Sequence, residues 1–326
     1  MWKFTLASLA LTALTVNAAG VPGPRAGDEF CKLTDTNTCA VDSITTSKLD
    51  ASTLIYPGGE TRCAFDDTSV PSANNFTTNS TYFFQVFPNA KQDKKKLMLF
   101  FQGGGACIDD KTCNYAIQCA VAGGTFNPNA SPASSGIFNR TDPDNMFADW
   151  NIVHLPYCTG DLHIGNKVNG STETGLEVLF GYKDKNCMKQ NQSIHQVGYL
   201  NTMAVLKWTL ANYPSPEHLI IGGSSAGALA AQILSAYIAD AWKVDERGIR
   251  YSILADSYVG VLPKDHAGGE LVRYYGSCDV DLKAPADIIA GCRSGKVTVA
   301  EMIQAMIKQT PFSDWLFIDS KADKTQ

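Results

Sequence analysis

The sequence lacks the features that mark nucleic-acid-binding and membrane-spanning chains. Charged residues make up only 18% of its 326 residues, and 27 lysines and arginines face 32 acidic residues, for a net charge of −5. The densest basic group is Lys94-Lys95-Lys96, which reads as the solvated start of a strand, so no nucleic-acid partner is expected. Beyond residue 18 no uninterrupted apolar stretch reaches membrane length, which excludes a later spanning helix. No internal repeat is visible. Histidine is scarce, with only His154, His163, His195, His218 and His266, so an imidazole base has few candidates.

What is present points outward from the cell. Residues 1–18 combine an early lysine, an apolar core over 6–16 and the small-residue pattern Val16-x-Ala18, and read as a secretory signal peptide. Ten cysteines in an exported chain read as disulfides, and the even count leaves none obliged to be free. Asn75, Asn79, Asn129, Asn139, Asn169 and Asn191 each begin an Asn-x-Ser/Thr site, which suits a eukaryotic secretory route, although Pro132 weakens the Asn129 site. The mature protein is therefore expected to be secreted, extracellular or in the cell wall, with no membrane association once the signal is removed. Nothing in the sequence fixes an oligomeric state.

Residues 19–50, rich in Gly, Pro, Thr and Asp with Cys31 and Cys39 as staples, read as an irregular lead-in. Residues 51–326 read as one α/β domain, long enough to bury a large core. Strands are expected over 81–87, 96–102, 150–157, 251–256 and 315–318, and helices over 194–213, 226–239 and 297–308. Their alternation predicts a mostly parallel sheet with flanking helices. Cys278 and Cys292 bracket a stretch that one bridge would close.

The chain is organised around Leu219-Ile220-Ile221-Gly222-Gly223-Ser224-Ser225-Ala226-Gly227-Ala228, an apolar run turning through glycines into a helix-forming segment. Gly223-x-Ser225-x-Gly227 fits a nucleophile elbow, where the flanking positions must be tiny because strand and helix backbones approach closely. That register selects Ser225 over Ser224 as nucleophile and points the Ala226 N–H at a developing oxyanion. The bland alternative is a glycine-rich strand-to-helix turn. After the earlier strand, Gly103-Gly104-Gly105-Ala106-Cys107 would let backbone N–H groups of Gly104, Gly105 or Ala106 face inward as the other half of an oxyanion hole. A phosphate loop would want Gly-Lys-Ser/Thr and an immediate helix, and neither follows. Cys107 reads as half of a local disulfide with Cys113 in preference to a nucleophile.

Asp161 and His163, in Cys158-Thr159-Gly160-Asp161-Leu162-His163, end another strand and are candidates for lining the pocket, with plain turn chemistry an equal alternative. Asp256 and Tyr258, ending the strand over 251–256, are further pocket candidates. His195 reads as a surface or capping residue. The usual chain order of Ser, then Asp, then His is harder to satisfy. Only His266 follows Ser225, with Asp256 just ten residues before it as its acid. Asp323 is the better acid, yet no histidine follows it. Either the centre departs from the usual order or the chain continues past Gln326 with a further strand, helix and histidine; the end so soon after a strand favours the second. A non-catalytic secreted binding protein is the rival that the missing base motivates.

Taken together, Gly103-Gly104-Gly105-Ala106-Cys107, Pro156-Tyr157-Cys158, Gly223-Ser224-Ser225-Ala226-Gly227, Ala255-Asp256-Ser257 and Ser320-Lys321-Ala322-Asp323-Lys324-Thr325-Gln326 resemble, in order, the motif blocks of the pectin acetylesterase and Notum family of secreted carboxylesterases. The resemblance covers the chain from about Thr81 to its end. It implies an α/β-hydrolase fold, Ser225 and Asp323 as triad members, an oxyanion hole from Gly104, Gly105 or Ala106 with Ala226, a structural Asp256, and no metal or cofactor. The implied substrate is an acetylated polysaccharide. Ala106 stands where Notum-type enzymes carry a bulky aromatic, which argues for an open site suited to a polymer-borne acetyl group.

Overall fold

A computed structural model describes residues 27–67, 77–78, 80–108, 125–126, 136–169, 193–260 and 268–321. Its strands, in chain order, are β1 (Glu29–Lys32), β2 (Thr53–Tyr56), β3 (Thr77–Thr78), β4 (Phe84–Phe87), β5 (Lys96–Phe101), β6 (Thr125–Phe126), β7 (Asn151–Leu155), β8 (Lys167–Asn169), β9 (Ile194–Gln196), β10 (His218–Ser224), β11 (Arg250–Asp256) and β12 (Asp314–Ile318). Eight of them form one sheet in the order β1-β2-β4-β7-β5-β10-β11-β12. Neighbours are parallel throughout except around β4, which runs against both β2 and β7. β3 pairs with β6, and β8 with β9, outside that sheet.

The continuous apolar runs of the central strands have a direct physical reason. Alternate side chains leave opposite faces of a strand, and here both faces are covered. Leu97, Leu99 and Phe101 join Val153, Leu155, Leu219 and Ile221 in the larger core. Met98, Ile152 and Ile220 point the other way, onto Phe87, Phe138 and Trp150. A parallel strand buried on two sides must therefore be apolar at consecutive positions. Helices Gly198–Asn212, Ala226–Ile233, Ser235–Trp242 and Val299–Gln309 contribute Leu206, Leu229, Ile238 and Met302 to the larger core.

Several boundaries differ from the sequence expectation. The lead-in over 19–50 is not wholly irregular: β1 lies in it and pairs in parallel register with β2, Glu29 opposite Thr53, and Cys31 on β1 is bridged to Cys39. The helix expected over 194–213 begins only at Gly198, because residues 194–196 pair as β9 with β8. The helix expected over 226–239 is two, Ala226–Ile233 and Ser235–Trp242, meeting at Leu234. At that junction the Ser235 hydroxyl donates to the Gln232 carbonyl, a back-bond that competes with the regular helical ladder. Cys278 and Cys292 are bridged, and Cys63 is joined to Cys158.

The topology places the site. From β5 the chain moves to β7 on one side, then passes back to β10 on the other. Strand order thus reverses beside β5, and loops leaving β5, β7 and β10 converge over the carboxyl end of the sheet, where such reversals form a crevice.

Candidate active site

Between the end of β10 at Ser224 and the helix beginning at Ala226 stands a single residue, Ser225. It has φ 51° and ψ −119°, a conformation rarely adopted by a residue bearing a side chain. Two hydrogen bonds hold it there: the Ser225 N–H donates to the Asp256 carbonyl at 2.8 Å, and the Leu229 N–H donates to the Ser225 carbonyl at 3.2 Å. The sharpness of the turn dictates its neighbours. A Cβ on Gly227 would lie 2.1 Å from the Phe101 carbonyl oxygen, and one on Gly223 would lie 2.4 Å from the Gly227 backbone.

Ser225 is half-buried and provides no side-chain cap for the helix that follows. The Ala226 N–H occupies the first helical position, where no intrahelical acceptor exists. The glycine loop lies directly alongside, since a Cβ on Gly103 would sit 2.4 Å from the Ser224 carbonyl oxygen and 3.0 Å from the Ser224 hydroxyl. Gly104 and Ala106 are half-buried and Gly105 is exposed. The elbow backbone at Ser224, the helix N-terminus and the glycine loop therefore share one corner of the crevice.

The loop after β7 braces that corner from below. Tyr157, fully buried, donates its N–H to the Gln102 side-chain oxygen at 2.9 Å. Its hydroxyl donates to the Gly105 carbonyl at 3.0 Å and accepts from the Leu162 N–H at 2.7 Å. His163 stacks on the Tyr157 ring with centroids 4.6 Å apart, and its Nε2 bonds the Gln102 carbonyl at 2.8 Å. The Cys107 N–H donates to the Gly160 carbonyl. Cys107 is disulfide-bonded; Cys113, its expected partner, lies outside the described residues.

Asp161 and His163 do not face an open pocket: they are 0% and 3% exposed. Asp161 accepts from the Thr159 hydroxyl and from the Gly198 N–H, each at 2.6 Å, so it fastens the loop to the start of the helix Gly198–Asn212. Burial pushes its carboxyl up to about 6 against those hydrogen bonds, which favour the ionised form. Burial lowers His163 to about 4, keeping it neutral. Asp256 is half-buried at the end of β11, its carbonyl on the elbow and its carboxylate accepting from the Ser257 hydroxyl at 2.8 Å. Tyr258, also half-buried, has its carbonyl held by the Gln232 side chain.

The other histidines sit elsewhere. His154 is fully buried in β7 against Phe100 and Phe138. His218 starts β10 at the end opposite the elbow. His195 pairs with Asp66 at 3.3 Å. His266 and Asp323 lie outside the described residues. Among the described residues no cluster of His, Cys, Asp or Glu is arranged to hold a metal ion, and no helix is long and apolar enough to cross a membrane.

A reversing, mostly parallel sheet with a one-residue serine elbow and a glycine loop pressed against it defines an α/β-hydrolase-like protein. A family model described as pectinacetylesterase matches residues 77–275, more than half of the chain, and the chain belongs to that family. It is also similar to palmitoleoyl-protein carboxylesterase NOTUM of Schmidtea mediterranea, with 26% identity over 144 residues. That match takes in 41% of this chain and 27% of the relative, so the chain spans well under two thirds of the curated protein it matches.

Proposed function

We propose that the protein is a secreted serine carboxylesterase that removes acetyl groups from an extracellular polysaccharide such as pectin. The observation supporting this most strongly is the half-buried Ser225 on a strained elbow beside the Gly103-Gly104-Gly105-Ala106 loop. In this reading the Ser225 Oγ attacks the ester carbonyl while its proton passes to a general base oriented by Asp323, a histidine that is none of His154, His163, His195 and His218. The N–H of Ala226 and those of the Gly104–Ala106 segment stabilise the oxyanion. Collapse expels the sugar alcohol, which takes the proton back, and water then releases acetate from the acyl-serine by the same steps.

A protein-acyl esterase is the second reading, favoured by the similarity to a palmitoleoyl-protein carboxylesterase. Small half-buried Ala106 supports the first, since it leaves that part of the loop without a large apolar wall for a fatty chain. Rates on acetylated pectin and on long-chain 4-nitrophenyl esters separate the two. Ser225→Ala is expected to lower turnover of 4-nitrophenyl acetate by several orders of magnitude, the usual effect of removing such a nucleophile. Parent-like hydrolysis by that variant would overturn both readings.

A further inference from the structure

The Tyr157 hydroxyl has a role that its burial alone does not explain. Its ring packs so closely under the glycine loop that a Cβ on Gly104 would lie 2.8 Å from a ring carbon, and its hydroxyl reaches the carbonyl of the next residue, Gly105. A peptide unit is planar and trans, so its C=O and the following N–H point in opposite directions. Whatever holds the Gly105 carbonyl down onto Tyr157 therefore turns the Ala106 N–H up, away from Tyr157. The hydroxyl is itself fixed, because the Leu162 N–H supplies its second hydrogen bond and the His163 ring stacks on its face.

We propose that Tyr157 is the positioning residue of the oxyanion loop, setting the direction of the Ala106 N–H through the Gly105 carbonyl. This rests on the serine-esterase reading above. Gln102 completes the clamp at the other end of the loop: its side chain is held by the Tyr157 N–H and its carbonyl by His163. The glycine run between Gln102 and Ala106 is thus tied at both ends to the loop after β7. Such an arrangement spares the loop reorganisation as charge develops, the condition under which oxyanion donors are most effective.

The test compares the parent, Ser225→Ala and Tyr157→Phe on 4-nitrophenyl acetate, with active molecules counted by titration with a fluorophosphonate. Tyr157→Phe keeps the ring under Gly104 and the stack on His163 but loses the hydroxyl. Its kcat is expected to fall about tenfold to a hundredfold, less than or equal to the loss on removing an oxyanion donor outright, with KM within about twofold. Affinity for a boronate, which mimics the tetrahedral adduct, should fall in step with kcat/KM, while inhibition by acetate should not change. Should Tyr157→Phe fail to fold, 4-fluorophenylalanine at 157 fills the hydroxyl's place without added bulk, leaves a weak acceptor towards Leu162 and loses the donated bond, and the same loss is expected. A kcat within twofold of the parent in the folded variant, with Ser225→Ala inactive, would overturn the positioning role and leave the esterase reading standing. An active Ser225→Ala would instead remove the reading on which the proposal rests.

Discussion

At Ser225 the backbone sits in a conformation that costs a side-chain-bearing residue on the order of 1–3 kcal/mol, and its surroundings hold it there. Gly227 shows how little room that leaves. With the Phe101 carbonyl 2.1 Å from a would-be Cβ, Gly227→Ala must push the helix Ala226–Ile233 off the end of β5, so a loss of more than about 2 kcal/mol is expected. Guanidinium unfolding checks it, and an unshifted midpoint would mean the elbow can open without cost. The elbow was legible in the sequence because such a turn admits only tiny residues at fixed spacing. Asp161 and His163 were not: the same polar cluster suits a pocket wall or a sealed turn. What seals it here is the Gly198 N–H, 37 residues on, and the Gln102 carbonyl, 61 residues back. Tyr157 was legible as part of a motif, while the function of its hydroxyl depends on Gly105, 52 residues away.

At the scale of the element, the best-signalled pieces are those with their own punctuation. The helix Val299–Gln309 opens on a capping box, in which the Thr298 hydroxyl accepts from the Glu301 N–H and the Glu301 carboxylate accepts from the Thr298 N–H. Its apolar stripe places Met302, Ile303 and Met306 in the interior. Thr298→Ala is expected to cost about 1 kcal/mol, read as a lowered thermal midpoint, whereas Thr298→Ser should stay close to the parent. An unchanged midpoint in Thr298→Ala would show that water replaces the cap. β1 and β2 escaped notice for the opposite reason. Each has four residues, too few for a periodic pattern; β2, Thr-Leu-Ile-Tyr, has strand-like composition without the length, while the mostly exposed β1 is a strand through its pairing with β2. The split at Leu234 likewise depends on a hydroxyl bond within a run of good helix formers.

For the whole molecule, the buried titratable groups set how acid affects stability. Burial lowers His154 to about 3 and His163 to about 4. A depressed histidine contributes stability that is present above its unfolded value near 6.5 and is lost as pH falls towards its folded value. Asp161, raised to about 6, has the opposite sign: its contribution is present at low pH and is lost as pH rises through 6. Between pH 6.5 and 5 each histidine costs on the order of 2 kcal/mol and Asp161 returns about 1, so the histidines dominate. The urea midpoint is expected to fall over that interval, with a shallower fall in His154→Phe; a midpoint independent of pH would show that neither imidazole resists protonation. The sheet order and the meeting of three loops were legible only in outline, as alternation of strands and helices, because the reversal beside β5 is a property of topology. One link in that topology reaches further. Cys158 follows Tyr157 directly and is tied to Cys63 across 95 residues, a closure that by loop length removes on the order of 4–5 kcal/mol of freedom from the unfolded chain. The same bond secures the strut under the glycine loop, so a chain made in a thiol-reducing cytosol would carry Ser225 and the glycine loop and yet lack the disulfide that ties down Tyr157's neighbour. Obtaining working protein then becomes a question of the host's oxidative machinery.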